Sequence, residues 1–249
     1  MKEKLAGVNS IMEALKGQRK IDRIYVLDTR QDKRTGELVR LAEKKGIYIQ
    51  YVRRQQLDQM SGLVNHQGVL ALVESYKYAD LDQVWQLAAK RGEDPFILIL
   101  DGLEDPQNLG SIIRTAECAG VHGIIIPRHG SAQVSEGVAR ASAGAVEHVL
   151  LVQETNLVSA IKNLKQKGLW IAGADMAAEN DCFSISFPVP LALVIGSEGK
   201  GIRRLVKENC DLLVRIPLRG KLQSLNASVS AAVLIYEVLR QRGKQEKTC

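Results

Sequence analysis

The sequence predicts an α/β protein: a parallel sheet with helices on both faces across the C-terminal two-thirds, preceded by a smaller α/β module. Three observations lead there. From Phe96 onward, near-continuous apolar runs (FILIL, GIIIP, VLLV, WIAGA, LALVIG, LLVRIP) recur between turn residues, the pattern of parallel strands buried on both faces. Helical stretches alternate with those runs, as parallel crossovers require. Charge then separates the two parts: the first 76 residues hold 14 basic and 9 acidic side chains, the remainder 20 and 19, so almost all of the net +6 sits in the first third. Such a basic excess suits either a polyanion such as nucleic acid or a merely solvated surface.

Within residues 1–76 the elements follow in order: a helix near VNSIMEAL, a strand at RIYVLD, a helix around TGELVRLAEKK, a strand at IYIQYV and a closing strand at GVLALV. Residues 77–95 are polar, with one apolar stripe at Leu81, Val84, Trp85 and Ala88 and a stop at Pro95, and read as a linker with a short helix. Residues 96–249 place helices near NLGSIIRTAECAG, SEGVARASAGA, NLVSAIKNLKQKG and IRRLVKEN, and a long one from about Asn226 to Arg242 with Val229, Val233, Tyr236 and Leu239 on one face. A chain with 45% apolar, 25% charged and 4% aromatic residues is neither disordered nor collagen-like. The start lacks a signal-peptide pattern and no apolar run is long enough for a bilayer, so a cytosolic protein without membrane partners is expected. Cys118, Cys182, Cys210 and Cys249 show no metal-ligand or redox spacing with one another or with His66, His122, His129 and His148. No metal site is expected, and Cys118 reads as a small core residue.

Ligands of open α/β sheets bind beyond the carboxyl ends of strands, and three such ends stand out. FILIL runs into Asp101 and a polar loop, then into a helix where Asn108 is placed as the cap. On that helix Ile112, Ile113, Ala116 and Ala119 form the apolar face, leaving Ser111 and Arg114 outside it. Arg114 then either faces a cleft or pairs with Glu117. LALVIG empties into Gly196, Ser197, Glu198, Gly199, Lys200 and Gly201. Ile202 and Arg203 follow where a phosphate-binding Walker loop needs Lys and then Ser or Thr, so ATP is disfavoured. Glu198 is open to two readings, a buried hydrogen-bond acceptor or an ordinary turn carboxylate. LLVRIP ends at Ile216 and Pro217, and Ser224 and Asn226 precede the final helix as residues able to satisfy its free amides. No Gly-x-Ser-x-Gly elbow and no metal-binding His pair supports a hydrolase.

Together and in this order, NLGSIIRTAECAG, LVIGSEGKGI and RIPLRGKLQSLNASVSAAV resemble the three signature motifs of the SpoU family of RNA ribose methyltransferases, within the SPOUT superfamily. The resemblance covers about residues 95–243. GVNSIMEAL and NHQGV further resemble the small ribosomal-protein-like substrate-binding domain that precedes the catalytic domain in many members. The resemblance implies a deep trefoil knot in the C-terminal domain, an exception to the rule that chains do not thread, and S-adenosylmethionine as cofactor. It also implies homodimers and RNA, not DNA, as partner. The cofactor loops would lie around Ile195 and Gly196, around Ile216 and Leu218, and around Leu225. Arg114 would be central to catalysis, with Asn108 positioning it or the RNA, Glu198 and Asn226 organising the site and Ser224 supporting them. Because a guanidinium normally stays charged, Arg114 either accepts the ribose proton in a shifted environment or remains a cation that holds phosphate and stabilises the developing alkoxide. The branch most resembled methylates the 2′-hydroxyl of a guanosine in 23S-type large-subunit ribosomal RNA, as part of rRNA processing. A transfer RNA enzyme and a non-catalytic ribosome-assembly factor are the alternatives. Lys20, Arg23, Arg53 and Arg54 are candidate phosphate contacts.

Overall fold

A computed structural model describes residues 2–30, 32–62, 66–187 and 189–245. Asn65 of the NHQGV motif and Cys249 lie outside the described residues. The chain divides into two compact units: one runs up to Lys77 and includes Val134–His148, and the other comprises Tyr78–Gln133 and the chain from Val149 onward.

The first unit holds β1 (Lys2–Ala6), α1 (Val8–Lys16), β2 (Ile21–Leu27), α2 (Lys33–Lys44), β3 (Tyr48–Val52), α3 (Arg54–Ser61) and β4 (Val69–Glu74). Its sheet runs β1-β4-β2-β3, with β2 parallel to β3 and antiparallel to β4. Strand β1 and helix α3 were not expected; KEKLA and RQQLDQMS carry too few apolar residues to register as buried elements. The segment 134–148 was also expected elsewhere, with the C-terminal domain. Its side-chain bonds instead go to the first unit. Glu147 takes an ion pair from Arg19 at 3.0 Å, with both side chains nearly fully buried, and Ser10 donates to the Ala139 carbonyl at 3.2 Å.

The second unit is built on seven strands: β5 (Phe96–Asp101), β6 (Gly123–Pro127), β7 (Leu151–Glu154), β8 (Trp170–Ala174), β9 (Asn180–Asp181), β10 (Leu191–Gly196) and β11 (Leu212–Arg215). They form one sheet in the order β7-β6-β5-β10-β8-β11-β9, every pair parallel. The apolar runs predicted this, since β5 and β6 are buried at every position. Helices α4 (Leu81–Arg91), α5 (Pro106–Cys118), α7 (Leu157–Gln166), α8 (Arg204–Lys207) and α9 (Ala227–Gln245) belong to this unit, while α6 (Glu136–Ala141) belongs to the first. The expected linker helix, α4, is part of the core. Val84 packs with Ile97, Ile99 and Ile125, and it occupies the space beside Gly123, where a Cβ would meet it at 2.6 Å.

Helix α9 packs against α5 and is tied back to the start of β5 by Arg242, which donates to the carbonyls of Asp94 at 2.7 Å and Pro95 at 3.1 Å. Its buried face is Ala227, Ala231, Leu234, Ile235 and Val238, whereas Val229, Tyr236 and Leu239 are exposed. Among the described residues no helix is long and apolar enough to cross a membrane, and no cluster of His, Cys, Asp or Glu could hold a metal ion.

Cys118 is exposed, not a core residue as its register suggested. It is the last residue of α5, on the turn beyond the buried Ile113 and Ala116. Burial pushes the Cys182 thiol up to about 11 and the Cys210 thiol up to about 12, with nearby carboxylates adding to each. Since the thiolate is the reacting species, alkylation at pH 7.5 followed by peptide mass spectrometry is expected to label Cys118 while Cys182 and Cys210 resist until denaturant is added. Equal labelling of all three in the native protein would contradict this packing.

Candidate active site

The carboxyl ends of β5 and β10 lie side by side, Asp101 opposite Gly196. Beyond β10 the chain makes a tight turn: Ser197 donates to the Gly201 carbonyl at 3.1 Å and Gly201 to the Ser197 carbonyl at 2.9 Å. Two features hold it. Gly196 has no room for a side chain, because a Cβ there would stand 2.1 Å from the Gly201 carbonyl carbon and 2.3 Å from the Ile202 nitrogen. The buried Asp101 carboxylate accepts the Arg203 backbone N–H at 2.8 Å and its guanidinium at 2.6 Å. The turn is thereby fastened at both feet.

Glu198 sits on this turn, exposed, with Oε1 accepting three hydrogen bonds: from Asn108 Nδ2 at 3.0 Å, Asn226 Nδ2 at 2.6 Å and the Ala227 backbone N–H at 3.1 Å. Asn226 Nδ2 also donates to Asn108 Oδ1 at 2.9 Å. The other end of Asn226 caps α9, its Oδ1 accepting the backbone N–H groups of Ser228 at 3.0 Å and Val229 at 3.3 Å. Three residues from three separate motifs therefore form one network. Glu198 thus combines parts of its two readings: it is a hydrogen-bond acceptor, but an exposed one on a turn and not a buried one.

Asn108 does not cap α5. Asp105 does, accepting the Gln107 N–H at 3.0 Å, with Pro106 as the first helical residue. That places Asn108 inside the first turns, 8% exposed, with its amide free for the network. Replacing Asp105 by alanine is expected to cost about 1 kcal/mol of stability, the usual value of such a cap, measurable by urea unfolding. An unchanged midpoint would contradict the capping role. Ser224 caps nothing among the described residues; it is exposed and lines the cavity described next. Arg114 is exposed on α5, with no hydrogen bond or ion pair to Glu117 or any other described residue, and it does not line that cavity.

A cavity of about 560 Å³ opens at these strand ends, lined by Ile195, Gly196, Glu198, Ile216, Ser224 and Leu225 among others. Leu218 is half-buried and is not part of that lining. Asp175 and Met176, just past β8, also line it; they follow the apolar run WIAGA, so the strand-end rule could have found them. Asp175 is ion-paired with Lys207. Burial works to raise its carboxyl, but hydrogen bonds from Lys207 and the Ala177 N–H leave it below the usual carboxylate range. The volume lies within the ordinary range for cofactor sites. The chemistry of the lining fits S-adenosylmethionine: apolar Ile195, Ile216 and Leu225 for an adenine ring, bare backbone at Gly196, and both charge signs, Glu198 and Lys200, for a zwitterionic amino acid end.

Comparison with known proteins agrees with this geometry. Residues 95–236 match the model of the SpoU rRNA Methylase family, and residues 4–79 match that of the RNA 2′-O ribose methyltransferase substrate binding domain. A Bacillus subtilis protein assigned by name to the TrmH family of tRNA/rRNA methyltransferases is 48% identical over 95% of this chain and 94% of its own. Among solved structures, the SpoU methyltransferase AviRb from Streptomyces viridochromogenes, in complex with AdoMet, superposes with a TM-score of 0.80 at 26% identity. That match covers 98% of this chain and 91% of AviRb. A structure described as an RNA 2′-O ribose methyltransferase gives 0.78 at 27% identity over 97% and 89%. The chain belongs to the SpoU (TrmH) family and is an S-adenosylmethionine-dependent RNA methyltransferase.

Proposed function

We propose that this enzyme methylates the ribose 2′-hydroxyl of a guanosine in 23S-type large-subunit ribosomal RNA, in the cytoplasm and as a homodimer. The observation that carries the reading is the Asn108–Glu198–Asn226 network, which joins the three motifs at the wall of the cofactor cavity. S-adenosylmethionine, when bound, supplies the methyl group. Ile195, Gly196, Ile216 and Leu225 would hold it, and Asn108, Glu198 and Asn226 keep its cavity and the acceptor hydroxyl in fixed relation, which is where positioning contributes most to rate. Arg114 acts as a cation, holding the adjacent phosphate and stabilising the developing alkoxide. Leu218 would act only through the backbone of its loop. The trefoil knot of the family is part of this reading; insertion of β10 between β5 and β8 is consistent with it.

Two observations support the dimer. Arg114, which the chemistry needs, stands exposed and outside the cofactor cavity of its own chain. The helix packed on α5 also carries exposed Val229, Tyr236 and Leu239, a stripe suited to a second copy. Sedimentation is expected to show a dimer at working concentrations; a fully active monomer would contradict it. The module spanning 1–76 would capture RNA through its basic excess. Competition between large-subunit ribosomal and transfer RNA transcripts for methylation tests the substrate class. Preference for the ribosomal transcript is expected, and preference for transfer RNA would shift the reading to that branch.

A further inference from the structure

Beside the cofactor cavity lies a second hollow of about 230 Å³, bounded by Gly102–Asp105 and Asn108 on one side and by Ser197, Glu198 and Lys200 on the other. Ser197, Glu198 and Lys200 line both spaces, so the turn after β10 is their common wall. A group seated in the smaller hollow is therefore next to the methyl donor's cavity, and the room suits one nucleotide rather than a length of strand.

The lining has a definite chemistry. Asp105 already accepts the Gln107 N–H, and Lys200 is the one ammonium among the lining residues. Glu104 is exposed and, among the described residues, has neither a hydrogen bond nor an ion pair. An ionised carboxylate only accepts hydrogen bonds, and a ligand edge that presents two donors together can engage both of its oxygens. Unstacked bases are read along their Watson–Crick edges. Guanine alone of the four offers adjacent N1–H and N2–H donors there. Adenine and cytosine pair a donor with an acceptor, and uracil sets its N–H between two carbonyls.

We propose that the smaller hollow is the acceptor-nucleotide pocket and that Glu104 selects guanosine by accepting from its N1–H and N2–H groups. This rests on the ribose-methylation reading and adds to it the residue that chooses the base. Glu104 is a specificity-determining residue; it takes no part in moving the methyl group or the proton.

Ligand-observed NMR titration of the full chain, with S-adenosylhomocysteine present, tests this using 5′-GMP, 5′-IMP and 5′-AMP. The wild type is expected to bind GMP at least about tenfold more tightly than IMP, which lacks the N2 amine, and than AMP, within the range a bidentate side chain–base pair provides. Glu104→Gln is expected to bring GMP down to the level of IMP while leaving S-adenosylhomocysteine affinity unchanged. Equal affinities for the three nucleotides, no binding of any, or a Glu104→Gln variant indistinguishable from wild type would each overturn the proposal. Guanosine ribose methylation without GMP preference overturns this inference alone. GMP preference without ribose methylation overturns the broader reading alone.

Discussion

Replacing Glu198 by alanine is expected to lower kcat by about 100-fold or more, the scale associated with a misplacement of about 1 Å at a reacting centre. One oxygen of this side chain is the common acceptor for Asn108, Asn226 and the first amide of α9. Without it, the mostly buried Asn108 amide loses an acceptor, which costs roughly 1–3 kcal/mol, and the three motifs lose their shared atom. Glu198→Gln retains an acceptor oxygen but loses the charge that strengthens such bonds about twofold, so it should fall between wild type and Glu198→Ala. Steady-state kinetics with thermal unfolding separates loss of organisation from loss of fold. A Glu198→Ala enzyme with wild-type kcat would mean that the network is only structural.

The second large effect is expected at Gly196. A methyl group there would overlap the Gly201–Ile202 backbone, and backbone cannot swing aside as a flexible side chain can. The turn would have to open, breaking the paired Ser197–Gly201 bonds and withdrawing part of the cavity wall. Overpacking of this kind costs about 1–3 kcal/mol. Gly196→Ala is therefore expected to weaken S-adenosylhomocysteine binding about tenfold or more by titration calorimetry. Gly36 provides the contrast: it lies within α2 with nothing within 4 Å, so Gly36→Ala should leave cofactor affinity unchanged and add up to about 1 kcal/mol from helix propensity. Equal cofactor affinities in both variants would contradict the role of the turn.

The parallel sheet was legible because burial on both faces leaves a plain trace, as FILIL, GIIIP and LALVIG become β5, β6 and β10. The site was legible as three strand ends, but not as a network. Asp105 and Asn108 are both good capping residues, and sequence alone did not show that Pro106 fixes the helix start at Asp105 and frees the Asn108 amide. Cys118 shows a related limit: one position along a helix turn separates burial from exposure. Long-range partners left still less trace. The segment SEGVARASAGA reads as one more crossover helix, yet it and the turn after it bond within the first unit through contacts more than 120 residues apart in sequence, Ser10 to the Ala139 carbonyl and Arg19 to Glu147. The pairing of Asp101 with Arg203 is likewise invisible until β5 and β10 are neighbours. Arg114 is the converse case: its spacing set it outside the apolar face, and exposed it stays, while its catalytic role rests on the proposed dimer.

Nucleoside mass spectrometry tests the central claim most directly. Unmodified ribosomal and transfer RNA transcripts would be incubated with S-adenosylmethionine and either the wild-type protein or its Arg114→Ala variant, then digested. The expected result is 2′-O-methylguanosine in the large-subunit ribosomal RNA with wild type and its loss with Arg114→Ala. Methylation confined to a base atom, or ribose methylation undiminished in the variant, would contradict the account.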